Sequence, residues 1–352
     1  LESRGVPMQY FRDVASEAVC WIDEVINGSY GKLIKFVKTH ADQKGLIRQR
    51  DDIFNDYLLW TMVKAGVPRT EPVFSLLLKE MICEKVNSIR NKAKYPLKKS
   101  CNLRMIPDHT GLLEPDEVFV ALYDDILEIE QSCTAILAMR FPAYIAEDML
   151  TLKVVTRKTL RFRSSLIPYG DGFYDFFENV RNCLIMSTKP LEGQCVADLM
   201  SGGDYDGDKA WICWDKTLVE HVKPLPVRPR GDSNEDAIQP AICNMLASQK
   251  DRLQLVSYAH ACKHHRSRIG ALSNRLDYKW DRCGIDSKET QILAAKAFIQ
   301  VDNPACFNGN YCEKSGYQLY PNWSAWREKN TAESSFYQSE KAMGVLWNLM
   351  EE

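Results

Sequence analysis

The 352-residue sequence predicts an α+β protein in which one small β-barrel is flanked on both sides by helices. Three observations carry that expectation. The hydrophobic period is helical up to about residue 98, short and strand-like from about 101 to 214, and helical again from about 232. Six short segments rich in branched and aromatic residues fill the middle of the chain, with Gly, Pro, Asp or Asn between them. A composition of 45% hydrophobic and 26% charged residues is that of a globular chain long enough for two or three domains.

In chain order, apolar residues at three- and four-residue spacing run through "VASEAVCWIDEVI", "IFNDYLLWTMVKAG" and "VFSLLLKEMICEKVNSI" and predict helices. The strand candidates follow: "LRMI", "EVFVALYD", "TAILAMRF", "LTLKVVTR", "NCLIMST" and "KAWICW". Short strands broken so regularly by turn residues suit a closed barrel better than an open parallel sheet. The stretch "KPLPVRPRGDSNE" is loop-like, with three prolines and a glycine. Helical spacing then returns through the segment from "AIQPAICNML" to "LDYKW" and through "ETQILAAKAFIQV". The expected division is a helical region over 1–100 with a basic end, the barrel over 101–216 and a second helical region over 217–352. The sequence shows no internal repeat and no low-complexity tract.

Composition also excludes classes of function. No stretch approaches the apolar length of a membrane span. Twelve cysteines without a Cys-x-x-Cys pair, in a chain able to build its own core, point to free thiols in a reducing compartment. The expected location is therefore intracellular, nuclear or cytoplasmic, and the glycosylation patterns at Asn27 and Asn322 are chance matches. The opening "LESRGVPMQYF" has no initiator Met and no signal design, so the chain reads as an internal fragment.

The net charge of -2 averages over sharply different patches. Lys85, Arg90, Lys92, Lys94, Lys98, Lys99 and Arg104 lie between the first helices and the first strand. Lys153, Arg157, Lys158, Arg161 and Arg163 follow a mid-barrel strand, and Lys263, Arg266, Arg268, Arg275 and Lys279 lie on a late helix. Singly each is a solvated face. Three such stretches in a chain that also carries an acidic turn suggest phosphate, with a cation between phosphate and carboxylate.

That turn is "SGGDYDGDKAWICWD", residues 201–215. Alternate residues of an extended backbone point the same way, so Asp204, Asp206 and Asp208 can converge on one point. Unneutralised, they repel one another, and the remedy is a raised pKa or a bound cation. Hard carboxylate oxygens suit Mg²⁺, Mn²⁺ or Ca²⁺ rather than zinc. Gly202, Gly203 and Gly207 permit positive φ or a close approach. An EF-hand count fits Asp204, Asp206, Asp208 and Asp215, but Lys209 stands where Gly is needed and "AWICW" reads as strand where a helix should begin. A ligand-free Asp-Gly hairpin is the plainer rival. A second candidate, His260, Cys262, His264 and His265, could offer a zinc pair on one helix face, but no second ligand pair lies nearby and the run is crowded with basic residues. The other histidines, His40, His109 and His221, read as structural or turn residues.

The loop resembles the catalytic loop of the eukaryotic cell-encoded RNA-dependent RNA polymerases of RNA silencing, whose signature is Asp-x-Asp-Gly-Asp after Ser-Gly-Gly; Tyr205 is similar to the fungal form. It is more distantly similar to the Asp-Phe-Asp-Gly-Asp loop in the largest subunit of DNA-dependent RNA polymerases. "MIPDHTGLLEPDEVFV", Arg140, Pro142, Asp148, "RIGALSN" and "VDNPACFNG" resemble further family segments. The chain departs from the pattern at "EGQC", where Gln194 replaces a common Arg, and at Ala305, Cys306 and Phe307 after Val-Asp-x-Pro.

The resemblance implies a double-psi β-barrel, the second of two in the family, with 1–100 as a connecting region and 217–352 as a neck-like region. It implies template-directed nucleotidyl transfer by two Mg²⁺ ions, for which Mn²⁺ can substitute, held by Asp204, Asp206 and Asp208. The implied partners are RNA template and product, ribonucleoside triphosphates and a first barrel upstream in the same polypeptide, with homodimerisation left open. Lys209, Arg140, Lys98, Lys99, Arg266 and Arg268 are candidates for RNA or nucleotide contact. Two alternatives stay open: a piece of a largest-subunit-like DNA-dependent polymerase, or a non-catalytic RNA-binding scaffold.

Overall fold

A computed structural model describes residues 1–44, 51–92, 94–97, 99–122, 129, 133–168, 171–225, 269–302, 323–324, 336–337 and 339–350. The described chain divides into two compact units, Leu1–Val6 with Lys98–Pro321 and Pro7–Leu97 with Asn322–Glu352.

The second unit is mostly helical, with one short parallel strand pair, Trp323–Ser324 with Phe336–Tyr337, and a further helix, Ala342–Asn348. Helices α1 (Met8–Asn27), α2 (Tyr30–Lys44), α3 (Asp51–Lys64) and α4 (Pro72–Lys92) bury Val25, Leu33, Phe36, Val37, Leu59, Val63, Phe74 and Met81 among themselves. Pro7, in extended conformation, opens α1, where a missing backbone donor costs nothing. The Arg69 guanidinium donates to the carbonyls of Ile26 and Gly28 and so secures the exit of α1.

The first unit holds the barrel. Its strands are β1 (Ser100–Pro107), β2 (Glu117–Ala121), β3 (Ala135–Arg140), β4 (Met149–Val154), β5 (Cys183–Met186) and β6 (Lys209–Cys213); each overlaps a segment that the sequence predicts as strand, with β1 running past "LRMI" at both ends and β4 starting one residue before "LTLKVVTR". Between and after them come α5 (Arg157–Ser165), α6 (Asp171–Asn179), α7 (Val196–Leu199) and α8 (Lys216–His221), then α9 (Ile269–Cys283) and α10 (Lys288–Asp302). The strands close in the order β1-β5-β2-β4-β3-β6. Two pairs, β1 with β5 and β2 with β4, are parallel, and the remaining pairs are antiparallel. Exchanging each strand with the one three places later returns the same ring with the same directions. That internal two-fold, with its two interlocked parallel pairs, is the double-psi arrangement. It leaves no trace as a repeat in the sequence, because topology constrains only which positions face inward.

Each strand sends alternate residues to the interior: Leu103 and Met105, Val118 and Val120, Ile136 and Ala138, Leu150 and Leu152, Leu184 and Met186, Ala210 and Ile212. Strands β2 and β5 are also covered outside, where Phe119, Ala121, Cys183 and Ile185 pack on Leu160, Tyr174 and Phe177 of α5 and α6. The sequence reading has only a basic stretch here and misses this hairpin, whose start is capped by Thr156 accepting from the Thr159 N–H at 3.3 Å.

Hydrogen bonds from buried side chains fix the loops. The Asp108 carboxylate accepts from the backbone N–H of Thr110 and Leu113, at 2.8 and 2.9 Å. Asp148 accepts from those of Tyr144 and Ile145, at 2.7 and 3.1 Å. Arg4, 3% exposed, donates to the carbonyls of Lys223, Ala146 and Met149 and ties the first residues to the barrel. Helices α9 and α10 pack on each other and on Tyr144 through Leu272, Leu276, Ala294 and Ala297. Among the described residues no helix is long and apolar enough to cross a membrane, and each described cysteine is free.

Candidate active site

The acidic turn joins α7 to β6. After α7 the chain reverses through two consecutive left-handed residues, Ser201 (φ 57°) and Gly202 (φ 65°). The Gly202 and Gly203 N–H groups donate to the carbonyls of Asp198 and Ala197, at 2.9 and 3.1 Å. Gly203 is buried where a side chain would not fit: a Cβ there would lie 2.9 Å from the Ala197 carbonyl and 3.0 Å from Arg140 Cδ. Gly207 needs no Cβ for another reason, its φ of 139°. A Cβ at that position would meet nothing within 4 Å.

The period of two then sorts the turn. Asp204 and Asp206 are exposed and Asp208 half-buried, while Tyr205 packs against the barrel core and its hydroxyl meets Cys195 Sγ at 3.5 Å. Burial, then that hydrogen bond, pushes the Tyr205 phenol up. With the tyrosine held inward, the aspartates stay outward, and one ligand atom from each of the three lies within 4.8 Å of the others. Among the described residues they are the group of three or more His, Cys, Asp or Glu side chains that converges in this way.

Asp208 is the fixed member. Its carbonyl accepts from the Met105 N–H of β1 at 2.9 Å. Its Oδ2 lies 2.6 Å from Nε of Arg140, the last residue of β3, and also accepts from the Asp204 N–H at 3.2 Å. The same guanidinium donates to the Ser201 carbonyl at 2.8 Å, and Ser201 Oγ donates to the Pro142 carbonyl. Both neighbours of β6 thus hold the residue that precedes it. The Asp206 N–H donates to Asp204 Oδ1 at 3.2 Å. That bond, then one from the Asp206 side chain, holds the Asp204 carboxyl below the ordinary aspartate value. The reverse falls on Asp206, which hydrogen bonding with Asp204 and then its like charge push up.

Arg140 therefore lies against the triad itself, a contact that the sequence reading, which has it meeting RNA or nucleotide, does not contain. Lys209 is exposed at the start of β6, opposite Arg104, and Lys99 is exposed just before β1. Lys98, Arg266, Arg268, His260, Cys262, His264, His265, Ala305, Cys306 and Phe307 lie outside the described residues. The mid-barrel basic stretch is largely neutralised: Lys153 pairs with Asp116, Arg161 with Glu178, and Arg163 with Glu117. Asp215, the last residue of the EF-hand count, caps α8 by accepting from the Thr217 N–H at 2.9 Å, as a helix start requires. Gln194 closes a tight turn with Leu191 through paired backbone bonds of 2.8 and 3.0 Å. Tyr205 with Cys195 and Ser201 with Pro142 are further positioning contacts that sequence reasoning misses; the Ser-Gly-Gly prefix is the local signal for the second.

A double-psi β-barrel that presents three carboxylates on the turn into its last strand is a barrel of the polymerase type. The chain belongs to the RNA-dependent RNA polymerase family, whose profile, described as "RNA dependent RNA polymerase", matches residues 1–350. It is 25% identical over 223 residues to "Probable RNA-dependent RNA polymerase 4" of Oryza sativa subsp. japonica, covering 62% of this chain and 16% of that protein. It is 22% identical over 238 residues to "RNA-dependent RNA polymerase 1" of Schizosaccharomyces pombe, covering 64% of this chain and 18% of that one. The solved structure of "RNA dependent RNA polymerase QDE-1 from Thielavia terrestris" shares the fold at a TM-score of 0.62 and 14% identity, over 99% of this chain and 39% of that one. The chain thus spans less than a fifth of the length of these two curated relatives.

Proposed function

We propose that the protein to which this chain belongs is an RNA-directed RNA polymerase and that Asp204, Asp206 and Asp208 are its cation-binding catalytic residues. One observation carries the reading: three carboxylates, held outward by an inward tyrosine, converge within 4.8 Å on the turn into β6. The donor set fits a hard divalent cation, since all three offer oxygen and the Asp204–Asp206 repulsion that raises the Asp206 carboxyl is what a cation relieves. The family match is to the RNA-dependent enzymes, which disfavours the reading as a DNA-dependent largest subunit.

Bound there, Mg²⁺, or Mn²⁺ in its place, would supply Lewis-acid activation of an RNA 3′-hydroxyl and neutralise the departing pyrophosphate. The chain's own residues do the positioning. Asp208, pinned by Met105 and Arg140, sets the place of the site, and the two exposed aspartates complete it. A Cβ at Gly207 would meet nothing within 4 Å, so the turn is open on that side, and the RNA end and nucleotide are proposed to approach there. Lys209, exposed and next to the triad in sequence, is proposed to meet a phosphate. Lys98, Lys99, Arg266 and Arg268 are proposed to meet the RNA backbone, in contacts that weaken with added salt. The family resemblance supplies the rest: double-stranded RNA for silencing as product, and a first barrel elsewhere in the polypeptide completing the active site.

The test is Asp208→Ala in the full-length enzyme. Nucleotide incorporation should fall by about a thousandfold or more, while RNA binding stays near wild type, because carboxylates hold metal and basic residues hold phosphate. Residual activity within about tenfold of wild type refutes the assignment.

A further inference from the structure

Arg140 sits where a cation's charge would be felt. Its Nε is 2.6 Å from Asp208 Oδ2, and a terminal nitrogen is 3.4 Å from Oδ1, so both oxygens of that carboxylate face the guanidinium. The pair is sheltered, at 15% and 22% side-chain exposure, and is little screened by solvent. The other terminal nitrogen is anchored on the Ser201 carbonyl at 2.8 Å, and the Asp204 N–H takes a further share of Oδ2 at 3.2 Å. A carboxylate so engaged has little left to offer a metal ion. A fixed positive charge against the triad also raises the cost of bringing a second cation there.

We propose that Arg140 and the divalent cation compete for Asp208, so that Arg140 is the counter-ion of the metal-free turn and cation binding loosens its hold on that carboxylate. The inference rests on the triad being a cation site. It assigns Arg140 a role opposite to that of a residue that merely organises the turn: a purely structural arginine strengthens metal binding, whereas a competing one weakens it. By reciprocity of linked equilibria, whatever factor Arg140 takes from cation affinity, the cation takes from the Arg140–Asp208 pairing. Once loosened, the guanidinium keeps its bond to Ser201 and can turn its free donors to an incoming anionic group.

The experiment is a Mn²⁺ titration of the chain, followed by the electron paramagnetic resonance of the free ion, with wild type, Arg140→Met, Arg140→Lys and, as a charge control on the α5–α6 hairpin, Arg161→Met. Competition predicts that Arg140→Met binds Mn²⁺ on the order of tenfold tighter than wild type, as expected for removing one nearby charge at partly buried range. Arg140→Lys should fall between the two, and Arg161→Met should match wild type. Equal or weaker binding by Arg140→Met overturns the proposal, as does an equal gain in Arg161→Met. If wild type and all variants fail to bind Mn²⁺ at millimolar concentration, the cation reading of the triad is itself overturned. A second measurement needs no variant to fold: on Mg²⁺ titration of arginine-labelled wild type, the Arg140 Nε–H resonance should shift along the binding isotherm. Mg²⁺ binding that leaves that resonance unmoved also refutes competition.

Discussion

Gly203 and Gly207 sit four residues apart in one turn, yet alanine should fail at them for different reasons. At Gly203 the backbone is not in the left-handed region, and the obstacle is space. The new Cβ would lie 2.9 Å from the Ala197 carbonyl oxygen and 3.0 Å from both Arg140 Cδ and Met105 Cε, where ordinary contact begins at 3.4 Å. Something must yield by about half an ångström, and one of the three atoms is backbone that is already hydrogen-bonded to the Gly203 N–H at 3.1 Å. Overpacking of that kind costs about 1–3 kcal/mol. At Gly207 space is open, and the obstacle is the φ of 139°, which costs an L-residue about 1–3 kcal/mol. The two alanine variants should therefore lose similar stability in urea and thermal unfolding. D-alanine, introduced by semisynthesis, should restore wild-type stability at 207, because a mirror-image residue adopts a positive φ without strain. Gly203→Ala should also disturb Mn²⁺ binding, because its Cβ presses on the arginine that holds Asp208. A Gly203→Ala chain within about 0.5 kcal/mol of wild type, or D-alanine no better than L-alanine at 207, would refute the reasoning.

Three further outcomes are expected. Glu117 accepts from Arg163 at 2.5 and 2.9 Å, and that bonding holds its carboxyl below the ordinary value of 4.5. The folded pKa lies below the unfolded one, so the pair's contribution is fully present above pH 4.5 and is lost as pH falls through the folded value; Glu117→Gln should cost about 1.5–3 kcal/mol at neutral pH in urea unfolding, with the gap to wild type closing in acid. Mn²⁺ should raise the melting temperature of wild type, whereas Asp206→Asn should melt no lower than metal-free wild type, having lost a like-charge neighbour, and should gain nothing from the ion. Asp108→Ala should destabilise the barrel unit by about 1–3 kcal/mol in the same denaturation assay, since it leaves the N–H groups of Thr110 and Leu113 without their acceptor.

How much was legible beforehand followed from what is local. Short apolar runs rich in branched and aromatic residues and bounded by turn residues mark strands, so the six barrel strands could be read from segments such as "NCLIMST" and "KAWICW", and a period of two is the geometry of an extended chain. The same period within residues 204–208 put three carboxylates on one side of the chain before any fold was known, and Gly207 marked the turn. The α5–α6 hairpin was not legible, because its arginines drew the reading toward phosphate when Arg161 and Arg163 in fact pair with Glu178 and Glu117. Pairing of that kind joins residues far apart in sequence, 68 positions in the case of Arg140 and Asp208. Periodicity tells which face a side chain occupies and carries no information about what will be opposite it. By itself the sequence determined the strands, the aspartate turn and, among the described residues, the long flanking helices. Only closure of the barrel decided that β1 and β3 both border β6, and hence that Met105 and Arg140 hold Asp208, because register across strands is a property of the assembled ring and not of any one segment.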